Sequence, residues 1–224
     1  MNRDSEFLPQ NTNYNGLIVY KKSLIILDIT QYFVDTFLRG NPRLGLEQML
    51  PAARSGKQNI SEGYVDGATS REMELKLFTV AKGSLKELLE DYQDFLRGHK
   101  FEIWPEGSPK HNQARLVCRQ HDDVEWYMQR IPQRTAETIA NIAIILLKQI
   151  DYLLFRLIEQ RKKAFLEQGG IREQMTHARL QVRDRQNHNP GFSGNRGNSG
   201  NRGNASPNTP NAPFAPKSPK FLQS

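Results

Sequence analysis

Apolar side chains recur at helical spacing along most of the chain before residue 165. The first such segment, Leu17–Leu38, contains no Gly or Pro and has apolar residues at Ile26, Ile29 and Phe33. Positions three and four residues apart lie on one face of a helix, so this segment is predicted to be a helix with a broad buried face. Gly40-Asn41-Pro42 is predicted to end it.

The second predicted helix, Leu46–Tyr64, is distinguished by small residues. Pro51 falls in its first turns, either as the first helical residue or at a tolerated kink. Because small side chains let another backbone approach closely, this helix is predicted to pack tightly against a neighbour. The row of small residues, spaced by four, three and four positions, is Ala52, Gly56, Asn59 and Gly63.

The third and fourth predicted helices each carry a regular apolar seam. Thr69 followed by Glu72 has the pattern of a capping box, which predicts where the third helix begins, and Gly98 ends it. The fourth helix is predicted to begin near Pro132. Spacings that alternate between three and four residues are those of left-handed bundle packing. The seams are Phe78, Ala81, Leu85, Leu88, Tyr92 and Phe95, then Ala136, Ile139, Ala143, Leu146, Ile150, Leu153 and Leu157.

Four amphipathic helices predict an all-α fold, an antiparallel up-down four-helix bundle over residues 17–165. A flexible N-terminus is predicted before it, over residues 1–16, and a basic helical suffix after it, over residues 166–186. Residues 187–224 are rich in Asn, Gly, Pro and Ser. Such a composition cannot bury enough apolar surface to offset the entropy lost on ordering, so a disordered tail is predicted there.

The fourth predicted helix has more apolar residues than one seam can bury. A helix that is apolar on more than one side contacts a further element or another subunit, and a homo-oligomer is the preferred interpretation. The connection before this helix is predicted to hold a loop at Trp104–Gly107 and a short amphipathic helix over His111–Met128. The surplus apolar residues are Ile144, Ile145, Leu147, Leu154, Phe155 and Ile158.

Positive charge is concentrated in the C-terminal part of the chain. Residues 1–160 contain 20 Lys and Arg against 21 Asp and Glu, a net charge of −1. Residues 161–224 contain 11 against 3, a net charge of +8. Basic extensions of this kind bind nucleic acid or other polyanions. Within the suffix, a short helix is predicted over Ile171–Gln186, with arginines opposite its apolar residues.

The compartment is predicted from cysteine usage and from the apolar stretches. A single cysteine, Cys118, excludes an internal disulfide and indicates a reducing compartment. The first 16 residues are polar, unlike a secretory signal. Charged residues interrupt the two most apolar stretches, Leu17–Leu38 and Ile139–Ile158, so neither is predicted to span a membrane. A cytoplasmic location is therefore expected.

No arrangement of residues predicts catalysis. Cys118, His121 and His111 come closest to a metal site, but they lack a fourth well-spaced ligand. The sequence also has no Glu-x-x-His pair of the kind used by di-iron bundles, no P-loop and no dinucleotide fingerprint. We therefore expect a protein that is not an enzyme and that uses no metal or cofactor. Four acidic residues of the third helix are interpreted as a solvated face: Glu87, Glu90, Asp91 and Asp94.

The second helix carries two polar faces. Ser55, Asn59 and Glu62 share one, and Arg54 and Lys57 share another. Such faces either join subunits and partners or form a satisfied network within the chain. For Asn59 and Glu62 the favoured interpretation is a network that ties helix ends together. For the two cations neither interpretation is favoured.

Three segments resemble one known family. Residues Ala52–Gly63 (AARSGKQNISEG) resemble the second-helix signature of the bacterial four-helix bundle proteins, and Ala81–Leu88 (AKGSLKEL) is similar to the third-helix signature that follows it. This family includes proteins encoded by intervening sequences in large-subunit ribosomal RNA. It also includes the accessory variability determinant of diversity-generating retroelements. Gln168–Arg179 (QGGIREQMTHAR) resembles the C-terminal extension of its suffix-domain subgroup.

The resemblance implies an assembly and a role. It implies a bundle that forms a ring-like homo-oligomer, by analogy a pentamer. It also implies a nucleic-acid-binding accessory role, which would assist the reverse transcriptase of a diversity-generating retroelement. The alternative function is a protein–protein interaction adaptor or scaffold without nucleic-acid binding. The motif residues expected to have structural or interface roles are Asn59, Glu62, Gly63, Gly83 and Ser84.

Because the predicted bundle is close to neutral, RNA or DNA would have to contact a local basic patch or the extension. The candidate patch on the bundle is Arg54, Lys57, Lys76, Lys82 and Lys86. The candidate contacts of the extension are Arg161, Lys162, Lys163, Arg172, Arg179, Arg183 and Arg185.

Overall fold

The computed structural model describes residues 14–168 and 171–187. This part of the chain is helical and contains no β-strand, which confirms the predicted all-α class. The predicted flexible N-terminus up to residue 13 and the predicted tail from residue 188 lie outside the described residues. By its internal contacts the chain divides into two units, Met1–Gln181 and Val182–Ser224.

The described residues form seven α-helices and three shorter helical segments. The α-helices are α1 (Ile18–Phe37), α2 (Leu50–Asp66), α3 (Arg71–Gly98), α4 (Pro109–Gln120), α5 (Val124–Met128), α6 (Ala136–Gln168) and α7 (Ile171–Asn187). A π-helical segment, Arg43–Met49, leads directly into α2, while 3-10 turns lie at Tyr14–Gly16 and Ile131–Gln133. Pro51 lies in the first turn of α2, as predicted.

The starts of α3 and α6 differ from those predicted, and α2 begins at Leu50 rather than Leu46. The cap of α3 is Ser70, whose Oγ accepts a hydrogen bond from the backbone N–H of Met73 at 3.2 Å. Ser70 has the extended backbone angles of a cap residue, while the Thr69 hydroxyl donates to the Asp66 carbonyl at 3.1 Å. Pro132 lies in a 3-10 turn, and α6 begins after Thr135, whose Oγ1 accepts from the backbone N–H of Thr138 at 3.3 Å.

The core lies where α1, α2, α3 and α6 meet. α1 and α3 each pack against both α2 and α6. Every predicted seam residue of α3 is buried, as are Ile139, Ala143, Leu146 and Ile150 in α6. Burial of one such side chain contributes roughly 1.5–3 kcal/mol, so the two seams supply much of the stability of the fold. Leu153, Leu157 and Ala136 are half-buried at the margin.

The surplus apolar residues of α6 are buried within this chain. α6 packs against α1, α3 and α4, and these contacts cover more than one of its sides. Of the six surplus residues, Phe155 is 49% exposed and the other five are buried. By length and composition alone, α6 could cross a membrane, but 56% of its apolar window is buried inside the protein. Its broad apolar surface is therefore explained mainly by intrachain packing.

Two glycines of α2 lie directly against α3. A Cβ added at Gly56 would lie 2.5 Å from Leu85 Cγ and Cδ2, and one at Gly63 would lie 2.9 Å from the Phe78 ring. Neither position can accept a methyl group without displacing a buried side chain of α3. This confirms the tight packing predicted for the second helix. At Gly83, by contrast, an added Cβ would meet no atom within 4 Å.

Candidate nucleic-acid interface

The predicted basic patch on the bundle is divided between α2 and α3 and is partly neutralised. Lys82 Nζ lies 3.3 Å from Asp151 Oδ1, and Lys86 Nζ lies 3.9 Å from Glu90 Oε1. The two pairings lower the net positive charge of this surface, and Arg54 and Lys76 are the patch cations left exposed without such a pairing among the described residues.

The remaining cation of this patch, Lys57, is half-buried in α2. Burial raises the pKa of Asp28 on α1, and the nearby Lys57 ammonium partly offsets that rise. Lys57 thus already serves as a counter-charge for a carboxylate on the neighbouring helix. This contact makes it a weaker candidate for phosphate binding than an exposed arginine would be.

Arg161, a candidate nucleic-acid contact, lies in an ion pair that connects α6 to α3. Its Nε lies 2.9 Å from Oε1 of Glu74, and Arg71 Nη1 lies 3.0 Å from the other carboxylate oxygen. The Glu74 side chain is only 1% exposed. The Arg161 N–H does not point along the line to the carboxylate, so the contact is electrostatic rather than a well-formed hydrogen bond. Arg161 therefore compensates a buried charge.

The cations that follow Arg161 differ in their pairing. Lys162 Nζ lies 3.0 Å from Glu159, and Lys163 Nζ lies 3.8 Å from Glu167, both as exposed pairs within α6. Exposed pairs of this kind contribute roughly 0–1 kcal/mol and can exchange partners readily. In α7, the side chain of Arg172 lies outside the described residues. Three further arginines of α7 are exposed: Arg179, Arg183 and Arg185.

Asn59 and Ser84 of the motif form a polar network between α2 and α3 together with Ser55. The hydroxyls of Ser55 and Ser84 lie 3.0 Å apart and join the two helices. Asn59 Nδ2 donates to the Ser55 carbonyl at 2.8 Å and to its hydroxyl at 3.2 Å. Glu62 is exposed and accepts from Gln58 within α2 at 2.8 Å. The network therefore connects the middle of two helices rather than their ends.

Two acidic residues of α3, Glu87 and Asp91, line a groove that disfavours phosphate. Glu87, Glu90 and Asp94 are exposed, as predicted for a solvated face, but Asp91 is half-buried. Burial, followed by the charges of Asp94, Glu87 and Glu90, raises the pKa of Asp91. Glu47 lies on the opposite wall of the same groove. Clustered carboxylates repel phosphate, so the surface around this groove is a poor one for nucleic acid.

Sequence reasoning missed an aromatic pocket formed by the connection between α3 and α6. The pocket has a volume of about 210 Å³ and contains both tryptophans of the chain. Its apolar wall is Trp104, Ala114, Val117, Cys118, Trp126, Tyr127, Ile131 and Ile142, and its cations are Lys110, Arg130 and Arg134. The signal that could have indicated it is the interleaving of these aromatic and basic residues between 104 and 134.

Asn141 holds one wall of this pocket in place. Its side chain is buried in α6, and its Oδ1 accepts a hydrogen bond from the Trp104 backbone N–H at 2.8 Å. Its Nδ2 donates to the Glu102 carbonyl, also at 2.8 Å. A single buried amide therefore replaces water for two backbone groups of a loop that has no regular structure. This fixes the Trp104 backbone against α6.

A buried lysine of α1 anchors the opposite wall. Lys22 Nζ donates to the Cys118 carbonyl and, at 3.4 Å, to the His121 carbonyl. These groups lie at the end of α4, where carbonyls have no partner within the helix and a positive charge is favourable. Burial lowers the pKa of Lys22, and the charges of Cys118 and Asp122 partly offset that effect. Lys21 adds an ion pair to Asp122 at 3.3 Å.

Trp126 is held by two neighbouring side chains. The His121 ring stacks on it with 3.7 Å between ring centroids, and the Arg130 guanidinium carbon lies 4.2 Å from the indole centroid. Arg130 also donates from Nη1 to the Trp126 carbonyl at 2.8 Å. The orientation of this cation beside the pocket is therefore fixed by two contacts with the same residue.

Cys118 lies in the pocket wall as a protonated thiol. Burial raises its pKa to about 11, against the smaller effects of a hydrogen bond from Tyr127 and the charge of Lys22. Burial, with Cys118 nearby, also raises the pKa of Tyr127. A thiol in this state is a poor nucleophile and a poor metal ligand at neutral pH. Over the described ranges, no cluster of three or more His, Cys, Asp or Glu residues is placed to hold a metal ion.

The free energy of unfolding is expected to fall between pH 9 and about 11 because of the raised pKa of Cys118. Its pKa is 9.0 in the reference state and about 11 in the folded protein. The folded state therefore keeps its proton longer, and the stabilisation that is complete below pH 9 is lost as pH rises to about 11. The loss amounts to roughly 2–3 kcal/mol. Urea unfolding across this window should show a smaller decline in the Cys118→Ala variant, and equal declines would contradict the assignment.

The described residues define a class: an all-helical protein in which several cations of α3 and α6 face carboxylates and the three arginines Arg179, Arg183 and Arg185 of α7 are exposed. Comparison of the chain with protein-family models, with curated proteins and with solved structures finds no match. The function is therefore argued from the charges, contacts and motifs of this chain.

Proposed function

We propose that this chain is a non-enzymatic, nucleic-acid-binding accessory protein, with the arginines of α7 as its main phosphate contacts. The proposal rests on which cations face carboxylates within the chain and which are exposed. Lys82 and Arg161 face carboxylates within the chain, whereas Arg179, Arg183 and Arg185 are exposed. Arg54 and Lys76 are also exposed, but as single cations on separate helices, whereas α7 carries three exposed arginines within residues 179–185.

The charge distribution supports the same surface. Residues 161–224 carry a net charge of +8, while the rest of the chain is near neutral and bears the acidic groove beside α3. Contacts of Lys and Arg with phosphates release condensed counterions, which supplies affinity that falls steeply with salt. Binding through the extension therefore requires no basic surface on the bundle.

The proposal includes an architecture and an assembly. We propose that α1, α2, α3 and α6 form an antiparallel up-down four-helix bundle, because these four helices share one apolar core. The resemblance of Ala52–Gly63 and Ala81–Leu88 to the bacterial four-helix bundle proteins supports a ring-like homo-oligomer, by analogy a pentamer. The proposed partners are RNA or DNA and the reverse transcriptase of a diversity-generating retroelement, in the cytoplasm.

Binding of labelled RNA by the full chain tests the proposal. Replacing Arg179, Arg183 and Arg185 by Gln is expected to weaken binding at least about tenfold at moderate salt, because three phosphate contacts are lost. The slope of log affinity against log salt should become shallower by about 2 to 3. Fluorescence anisotropy titrations at several salt concentrations, with structured RNA and with duplex DNA, measure both quantities.

A second triple variant provides the matched control. Replacing Lys82, Lys86 and Lys148 by Gln removes the same number of charges, but from cations outside the extension that face carboxylates within the chain. This variant should bind with nearly the affinity and salt slope of the unaltered protein. If the two triple variants weaken binding equally, net charge and not the α7 surface determines affinity, and the proposed interface is wrong.

The alternative function, a protein–protein adaptor, is favoured by a different feature of α7. Met175, Leu180 and Val182 are 40%, 43% and 53% exposed, so α7 presents apolar side chains that a partner protein would cover. Capture of partners after nuclease treatment distinguishes the two functions. If serine at these three positions abolishes capture while the arginine variant retains it, the adaptor function is correct.

A further inference from the structure

We infer that the aromatic pocket between α4, α5 and α6 binds a planar aromatic ring that carries an anionic group. Its volume of about 210 Å³ limits the size of the ligand. An apolar cavity of roughly 150 Å³ holds benzene, whereas drug-sized ligands occupy about 300–1,000 Å³. The pocket is therefore suited to one ring or two fused rings, with the rest of the ligand outside.

The wall of the pocket explains the preference for an aromatic ring. Trp104 and Trp126 contribute to it from opposite ends of the connection, and Ile131 and Ile142 add apolar surface. Both tryptophan positions are fixed: hydrogen bonds to Asn141 hold the Trp104 backbone, and stacking with His121 holds the Trp126 ring. A rigid apolar slot favours a flat ring, because little conformational entropy is lost when such a ring binds.

The charges at the pocket explain the preference for an anion. Lys110, Arg130 and Arg134 line it, and no carboxylate does. Arg134 is exposed, and Lys110 has only a distant partner, with Nζ 3.9 Å from Glu102 Oε2. Arg130 is oriented by the Trp126 ring and carbonyl. Three cations without a lining carboxylate favour a carboxylate or phosphate group at the rim of the pocket.

Two sources could supply this chemistry. One is a free small molecule, such as a nucleoside monophosphate or an aryl carboxylate. The other is an unpaired nucleotide in a nucleic-acid strand, whose base would enter the pocket while its phosphate meets the cations. The inference concerns the shared ring-and-anion chemistry. It does not depend on the proposed role of α7, because the pocket contains no α7 residue.

Intrinsic tryptophan fluorescence of the full chain tests the inference directly. The chain has two tryptophans, and both line the pocket, so any change in emission on ligand addition reports on this site. The probes are AMP and benzoate, each compared with its uncharged counterpart, adenosine and benzamide. AMP and benzoate should change the emission saturably, and adenosine and benzamide should bind at least about tenfold more weakly.

Matched variants locate the binding. Arg134→Gln removes a cation of the pocket and should weaken AMP binding about tenfold. Arg119→Gln removes an exposed arginine of α4 that does not line the pocket and should leave AMP binding unchanged. Ala114→Phe fills the pocket and should abolish binding in a protein whose circular dichroism is unaltered. If that variant does not fold, the two arginine variants still decide the result.

Three results would overturn the inference. They are no fluorescence response of the folded protein to either anion, equal affinity for AMP and adenosine, and equal effects of Arg134→Gln and Arg119→Gln.

A short single-stranded oligonucleotide identifies the source. If it displaces AMP in an Arg134-dependent way, the pocket accepts an unpaired nucleotide; if it does not, the pocket accepts the free anion. The α7 triple variant should retain AMP binding, so failure of the α7 proposal and failure of this inference are separable.

Discussion

Replacing Arg161 by Met is expected to destabilise the protein by about 3 kcal/mol. The Glu74 carboxylate is 1% exposed and lies between Arg161 and Arg71. Methionine keeps much of the apolar stem of the side chain but removes the charge, so a buried carboxylate loses one of its two counter-charges. Breaking a buried ion pair costs about 3–5 kcal/mol, and the remaining contact with Arg71 places the effect at the lower end.

Urea unfolding measures this loss, and the neighbouring lysine supplies the control. Lys162→Met removes a cation whose partner, Glu159, is as exposed as the lysine itself. The expected change is within about 0.5 kcal/mol, because exposed pairs contribute little. Equal effects of Arg161→Met and Lys162→Met would show that Glu74 does not depend on Arg161. The outcome also affects nucleic-acid assays, because a weak-binding Arg161 variant could simply be partly unfolded.

A second substitution separates charge compensation from packing. Glu74→Gln in the Arg161→Met background removes the unpaired charge while keeping nearly the same shape. If charge is the cause, this double variant should regain part of the stability that Arg161→Met loses, and the two substitutions should be non-additive. If the two substitutions are additive instead, the double variant loses the full effect of each. That result would assign the Arg161→Met loss to packing.

The long helices could be predicted from sequence because their buried faces repeat with the helical period. Leu17–Leu38 was predicted and Ile18–Phe37 is observed, and the α3 seam from Phe78 to Phe95 is buried as expected. Periodicity is a property of many residues together, so single exceptions do not obscure it. The all-α class follows from this pattern alone.

Helix boundaries were harder to predict because one hydrogen bond decides each of them. Thr69 and Ser70 are adjacent and can both cap a helix, and only the extended backbone of Ser70 and its bond from the Met73 N–H identify Ser70 as the cap. Pro132 fits the first turn of a helix by composition, but the structure places it in a separate 3-10 turn. Local residue preference does not contain the information that resolves such cases.

The candidate site could be predicted only as a set of residue types. Sequence shows that Arg161 is basic but not that its partner is Glu74, far away along the chain and buried on another helix. The aromatic pocket was missed for the same reason. The segment around Trp104 has no helical period, and Trp104 is fixed by Asn141, a contact between residues that no local pattern links.

Gly56→Ala is expected to destabilise the protein by about 2 kcal/mol. The added methyl carbon would lie 2.5 Å from Leu85 Cγ, and Leu85 is itself buried at the interface of α2 and α3. Leu85 cannot move away without disturbing the core, and overpacking of this kind costs about 1–3 kcal/mol. Alanine is favoured over glycine within a helix by up to about 1 kcal/mol, which offsets part of the cost. Thermal and urea unfolding measure the difference.

Gly83→Ala is the matched control, because it makes the same change on the neighbouring helix. No atom lies within 4 Å of the added Cβ, so only the helix preference acts and stability should rise by up to about 1 kcal/mol. Opposite signs for the two variants would assign the Gly56 effect to contact with α3. A loss of stability at both positions would instead place Gly83 at an interface between copies of the chain. Light scattering would then show a lower mass for the Gly83→Ala protein, since the methyl group would separate subunits.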